Sequence, residues 1–193
     1  MGELSTNIAF HFQFYEKDLH EMDANTLLEA EKSIVYYINF LSKELDLDIE
    51  TRITARTEGS LWDNFKFIYN NPLTGVLLGA ILSKFLAPKP KLSDEASTEK
   101  TIANYNQLKQ PIKNGDMTSE EALSFFETDK ALKKHKSVFF NALQEDSTVK
   151  ELDVAANDDF EHKPIPRAEF HHRIYSEEEL KDEVIEIPKV LVD

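Results

Sequence analysis

The chain has no cysteine and only five glycines in 193 residues. The first absence excludes disulfides, thiol nucleophiles and cysteine metal sites, and it fits a reducing cytosol. Signature motifs are missing too. No G-x-x-x-x-G-K-[ST] or G-x-G-x-x-G occurs, so phosphate cradles of those types have no footing. The Gly59-Ser60 pair lacks the second glycine of a nucleophile elbow, and no H-E-x-x-H spacing is present. With no spacing that implies a mechanism, the reading points away from an enzyme. No apolar run behind positive charge opens the chain, and the expectation is a cytoplasmic protein without a secretory signal.

Basic charge is also scarce. Lys and Arg number 22 against 36 Asp and Glu, a net charge of −14. The balance is −4 over residues 1–92 and −10 over residues 93–193. Phosphate affinity comes largely from Lys and Arg displacing counterions, so nucleic acid is a poor partner. One local exception is Lys130, Lys133 and Lys134, with His135 and Lys136 beside them. Three of these lysines share a helical face that could touch phosphates or an acidic partner, although a solvated face is the plainer reading.

Long apolar runs are absent but for one, NPLTGVLLGAILSKFLAP at 71–88. Its stretch from Leu73 to Ala87 falls short of the roughly 20 residues of a spanning helix, and Lys84 interrupts it. Lys84, Lys89 and Lys91 flank its C-terminal side as a cytoplasmic anchor would, but length and interior charge weigh against insertion. Pro72 and Pro88 are natural boundaries for a helix here. Gly75 and Gly79 share one face of it, with Ala80 beside them, and small residues at that spacing let another backbone approach closely. We expect Gly75, Leu78, Gly79, Ile81 and Leu82 to form an interaction surface for a second copy or another protein.

Around that helix the periodicities give an α+β chain. Thr6–Tyr15 alternates, with Ile8, Phe10, Phe12 and Phe14 on one face, and predicts a strand. Asp23 or Asn25 can cap a long amphipathic helix whose stripe is Leu27, Leu28, Ile34, Val35, Ile38, Leu41 and Leu45. Phe10, Phe12 and Phe14 should pack on that helix, since each apolar face needs the other. A second strand follows at about Asp48–Ala55. Beyond Gly59, SLWDNFKFIY reads either as a returning strand or as a helix capped by Ser60 and Asp63, with the aromatics favouring the strand. These elements and the apolar helix make a domain over 1–87.

Residues 88–97, rich in proline and charge, read as a linker. Three helical patterns fill 98–146: Thr98–Gln110, a segment capped by Thr118 and Glu121, and DKALKKHKSVFFNALQED behind Asp129. They suggest a helical subdomain. Residues 147–193 are acidic and turn-rich with no dependable period until a β-like run, Val184–Val192, broken by Pro188. That run would need a sheet partner, as an edge of the N-terminal sheet or as the first strand of a further domain. Asp158, Asp159, Glu161, His162, His171 and His172 are the densest set of metal-ligand types, the basis for an alternative reading as a metal-dependent hydrolase. Release of helix 73–87 into a bilayer, as a membrane-acting effector, is the other alternative. No cofactor is implied.

The string ITARTEGSLWDNFKFIYNNPLTGVLLGAIL resembles a diffuse group of bacterial proteins from prophage and anti-phage defence neighbourhoods. They share a strand, a Glu-Gly-Ser turn and an apolar segment. DKALKKHKSVFFNAL and IEIPKVLV are similar to parts of those proteins in which more sequence follows, so the resemblance implies a truncated chain. It carries over no catalytic residues, and what it implies is a defence-related role.

Overall fold

The computed structural model describes residues 3–16, 21–54, 62–89, 114, 130–156 and 160–180. Strand β1 (Leu4–Phe14) leads to helix α1 (Ala24–Leu45), strands β2 (Ile49–Thr54) and β3 (Trp62–Tyr69), and helix α2 (Pro72–Leu86). Helix α3 (Lys130–Glu145), strands β4 (Val149–Ala156) and β5 (Phe160–Pro166), a 3-10 segment (Arg167–Arg173) and the short helix α4 (Glu177–Leu180) follow. The fold is α+β. Its antiparallel sheet has the order β2-β3-β1-β4-β5.

The alternation in β1 sets the inside of the molecule. Ile8, Phe10 and Phe12 are at most 1% exposed, and Phe14 packs partly buried at their end. Register places Phe65 and Phe67 of β3 and Leu152 and Val154 of β4 on the same face. Phe10 sits at the centre, edge-on to Phe65 at 5.7 Å and to Phe139 of α3 at 6.0 Å. Such T-shaped pairs set the positive ring edge against the negative face and add to the burial itself. The chain of rings continues from Phe139 to Phe85 of α2 at 5.1 Å, and from Phe85 to Tyr37 of α1 at 4.9 Å. Helices α1, α2 and α3 therefore converge on one face of the sheet.

Helix α1 begins where Asp23 accepts from the amides of Asn25 and Thr26 at 2.9 and 3.0 Å. It stops at Asp46, which adopts the left-handed conformation (φ 54°) and returns its N–H to Lys43. Ile34, Tyr37, Ile38, Leu41 and Leu45 face the core as the helical stripe requires. Leu28, expected on that stripe, is instead 58% exposed. It stands two positions from both Thr26 and Ala30, about 200° around the helix from the i, i+4 row of Thr26, Ala30 and Ile34. The fork at SLWDNFKFIY resolves as strand β3, paired on both sides. Glu58, Gly59 and Ser60 lie outside the described residues.

Two expectations about the second half are corrected. Helix α3 does not belong to a separate helical unit: Leu132, Phe139, Phe140 and Leu143 enter the same core as β1 and α1. The stretch 147–166 is not irregular either, for it forms β4 and β5, and β4 pairs with β1. The remaining helical patterns of 98–129 and the run Val184–Val192 lie outside the described residues.

The 3-10 segment locks these parts together through two arginines. Arg167 donates to the carbonyls of Leu143 (3.1 Å) and Val149 (3.3 Å) and to those of Gln144 and Asp146, closing the C-terminus of α3. Arg173 donates to Leu86 O at the end of α2, 2.6 Å away. A cation at a helix C-terminus satisfies orphan carbonyls and opposes the negative end of the macrodipole. The turn before β4 is fixed by Asp146, which accepts from Thr148 N, Thr148 Oγ1 and Asp23 N at 3.0, 2.5 and 3.1 Å. Burial opposes its charge, but these donors and Arg167 together hold its carboxyl below the ordinary aspartate value.

Candidate interaction surface

Helix α2 starts at Asn71, whose side chain accepts from Leu73 N at 3.0 Å, with Pro72 in the first helical position. It ends before Pro88, whose ring disfavours helical backbone at Ala87. Thr74, Leu77, Leu78, Ile81, Leu82, Phe85 and Leu86 form its buried side. The opposite side presents Pro72, Val76 and Gly79, with Leu73, Gly75, Ala80 and Ser83 half-exposed at its margins. Val76 is 55% exposed, and no charged residue occurs on the helix before Lys84.

This arrangement divides the expected interaction residues. Leu78, Ile81 and Leu82 are 0–3% exposed, so they belong to the chain's own core and are withdrawn from any surface. Their apolar character reflects folding. Gly75 is explained inside the fold as well: a Cβ there would stand 2.3 Å from the Tyr69 hydroxyl, which shares a 2.9 Å hydrogen bond with Thr6 Oγ1. Only Gly79 opens outward, where an added Cβ would meet nothing within 4 Å. The spacing of the two glycines is thus one internal contact and one open position.

The C-terminus of α2 is held by a residue that sequence reasoning grouped with a surface patch. Lys136 is 6% exposed, and its Nζ donates to Lys84 O at 2.9 Å and Ala87 O at 2.5 Å. The signal was present, since Lys136 lies on the apolar row of Leu132, Phe139, Phe140 and Leu143. With Arg173 on Leu86 O, two cations close one helix end. Releasing α2 into a bilayer would strip Phe85 from its aromatic neighbours and strand both cations in the core. Among the described residues no helix is long and apolar enough to cross a membrane.

The other lysines of α3 diverge. Lys133 Nζ stands 5.3 Å from the centroid of the Tyr175 ring, which Lys89 Nζ also approaches at 5.9 Å. Lys89 is further held by Glu179 at 3.1 Å. Lys134 is exposed and Lys130 half-buried. Cation–π contact holds Lys133, and an ion pair holds Lys89, within the fold.

The metal-ligand types do not converge among the described residues, where no group of three or more is found. His171 and His172 lie ring to ring at 3.8 Å, both exposed. Glu169 turns to Arg173 at 3.5 Å. His162 and Glu161 fall in β5, while Asp158 and Asp159 lie outside the described residues. His11 lies on the sheet face away from the helices, in register with Asp153 and Trp62. Burial depresses its pKa, while Asp153 and Glu151 pull it the other way.

At the sheet edges the strands differ. β5 carries Pro164 and Pro166, which have no N–H to offer a further strand. β2 carries no proline and no lysine, and Ile53 on it is 51% exposed. No protein-family model, curated protein or solved structure matches this chain.

Proposed function

We propose that the chain is a non-enzymatic assembly module of the cytoplasm that docks a partner protein through the outward face of α2. The observation that carries this reading is the uncharged strip Pro72, Val76 and Gly79 on an exposed helix, in a chain of which 30% is charged. A glycine with open space above it admits a partner backbone closely, and Val76 supplies apolar area to bury. The residues beneath the strip are buried in the core, which holds the helix in place and lowers the cost of ordering the surface on binding. The resemblance of residues 53–82 to proteins of defence neighbourhoods suggests a bacterial anti-phage setting for that partner. The double capping of α2 speaks against the membrane-effector alternative, and among the described residues no group of metal-ligand types favours a hydrolase.

The test is affinity capture from the source cells with the parent, Val76→Asp, Gly79→Leu and Lys134→Asp in parallel. A protein retained by the parent and by Lys134→Asp, but lost with both α2 variants, is the expected outcome. An identical set of captured proteins across all four would overturn the reading. Unchanged melting temperatures would exclude misfolding as the cause of any loss.

A further inference from the structure

Among the described residues, strand β2 is the edge of the sheet opposite the proline-bearing β5. Its sequence around Thr51 is Ile49-Glu50-Thr51-Arg52-Ile53, which is self-complementary when reversed. We propose that two copies of the chain pair antiparallel through β2, about a two-fold axis at Thr51, to give one continuous sheet. This rests on reading the chain as an assembly module but uses a surface separate from α2.

In that register Ile49 meets Ile53 of the second copy, Glu50 meets Arg52, and Thr51 meets itself. An isologous contact must be self-complementary in this way. Two observations agree with it. Glu50 and Arg52 project from the same face, with side chains 58% and 57% exposed, and pair with each other at 2.7 Å. Two such pairs brought together place each charge between opposite charges. Ile53, in register with Phe65 and thus on the helix side of the sheet, is half-exposed, while Ile49 already packs on the core. Pairing would set the exposed isoleucine of each copy beside the seated one of the other.

The experiment is sedimentation velocity over a concentration series with the parent, Glu50→Arg, Arg52→Glu, the double variant and an equimolar mixture of the two singles. In the proposed register each single variant opposes like charges twice, whereas the double variant and the mixture restore opposite charges. Concentration-dependent dimers are expected for the parent, the double variant and the mixture, and monomers for each single variant alone. A parent that stays monomeric throughout, or single variants that dimerise like the parent, would overturn the proposal. Val76→Asp in the same series separates the two surfaces. If it alone abolishes the dimer, the copies meet through α2 and the edge pairing is wrong; if it leaves the dimer intact while losing partner capture, both readings hold.

Discussion

Replacing Lys136 by Met tests whether a buried cation at the end of α2 is a structural asset. Two charge-assisted hydrogen bonds, to Lys84 O and Ala87 O, would be lost. Bonds of that kind contribute about 1.5–3 kcal/mol each, so the gross loss is about 3–6 kcal/mol. Against it stands the desolvation of the ammonium, several kcal/mol, which methionine avoids while filling a similar volume. The carbonyls left behind lie at a helix terminus beside Leu86 O, which Arg173 holds, and orphaned acceptors cost about 1–3 kcal/mol each. The net expectation is a destabilisation of about 1–3 kcal/mol, or roughly 2–12 °C in a thermal melt of a chain this size. Lys134→Met on the exposed side of the same helix is the control and should stay within about 0.5 kcal/mol. Urea melts monitored by circular dichroism would measure both. Equal stability of Lys136→Met and the parent, or a gain, would show that desolvation outweighs the hydrogen bonds and refute the reasoning.

The two glycines of α2 should respond oppositely to alanine. Gly75→Ala forces Tyr69 aside from Thr6 and should cost about 1–2 kcal/mol. Gly79→Ala meets nothing and should stabilise by about 0.5–1 kcal/mol through helix propensity, with thermal melts as the readout. His11 should titrate below free histidine, because burial disfavours its charged form more than Asp153 and Glu151 favour it. The unfolded chain then takes up a proton near pH 6.5 that the folded chain refuses, so this contribution is full above that pH and is lost as pH falls from there through the lower folded value. NMR titration of the His11 ring should show a further drop in Asp153→Asn; a value above that of free histidine would contradict the assignment.

Periodicity made β1, α1 and α2 legible, because each keeps one unbroken repeat against one core. It failed for β4, where Val149 and Leu152 are both buried although three positions apart. The register shift between Gln13 and Phe14 leaves Lys150 as an extra residue, and a bulge of that kind erases a period of two. A second irregularity in β5 opposite Asp153 does the same. With both strands hidden, the helix before them had no visible sheet and read as a separate unit. On the candidate surface, apolarity and small-residue spacing located the right helix but not its outward side. Leu78, Ile81 and Leu82 were indistinguishable from Val76 by chemistry alone, since what covers them comes from distant segments. The pairing of Lys136 with backbone carbonyls was unreadable for the same reason.

The central position of β1 has a consequence for how the molecule comes into being. During synthesis β1 emerges before every other strand of its sheet, and β3 can join it as soon as the first half is made. Its other edge waits for Leu152 and Val154, far along the chain. Until then Phe10 and Phe12 lack the α3 and β4 side chains that complete their burial. Closing so long a loop is slow, because the entropy is lost before the contacts form. Until Val154 has been made, a nascent chain therefore carries β1 with one edge not yet joined to β4 and phenylalanines not yet fully covered, which is the form of intermediate that chaperones recognise.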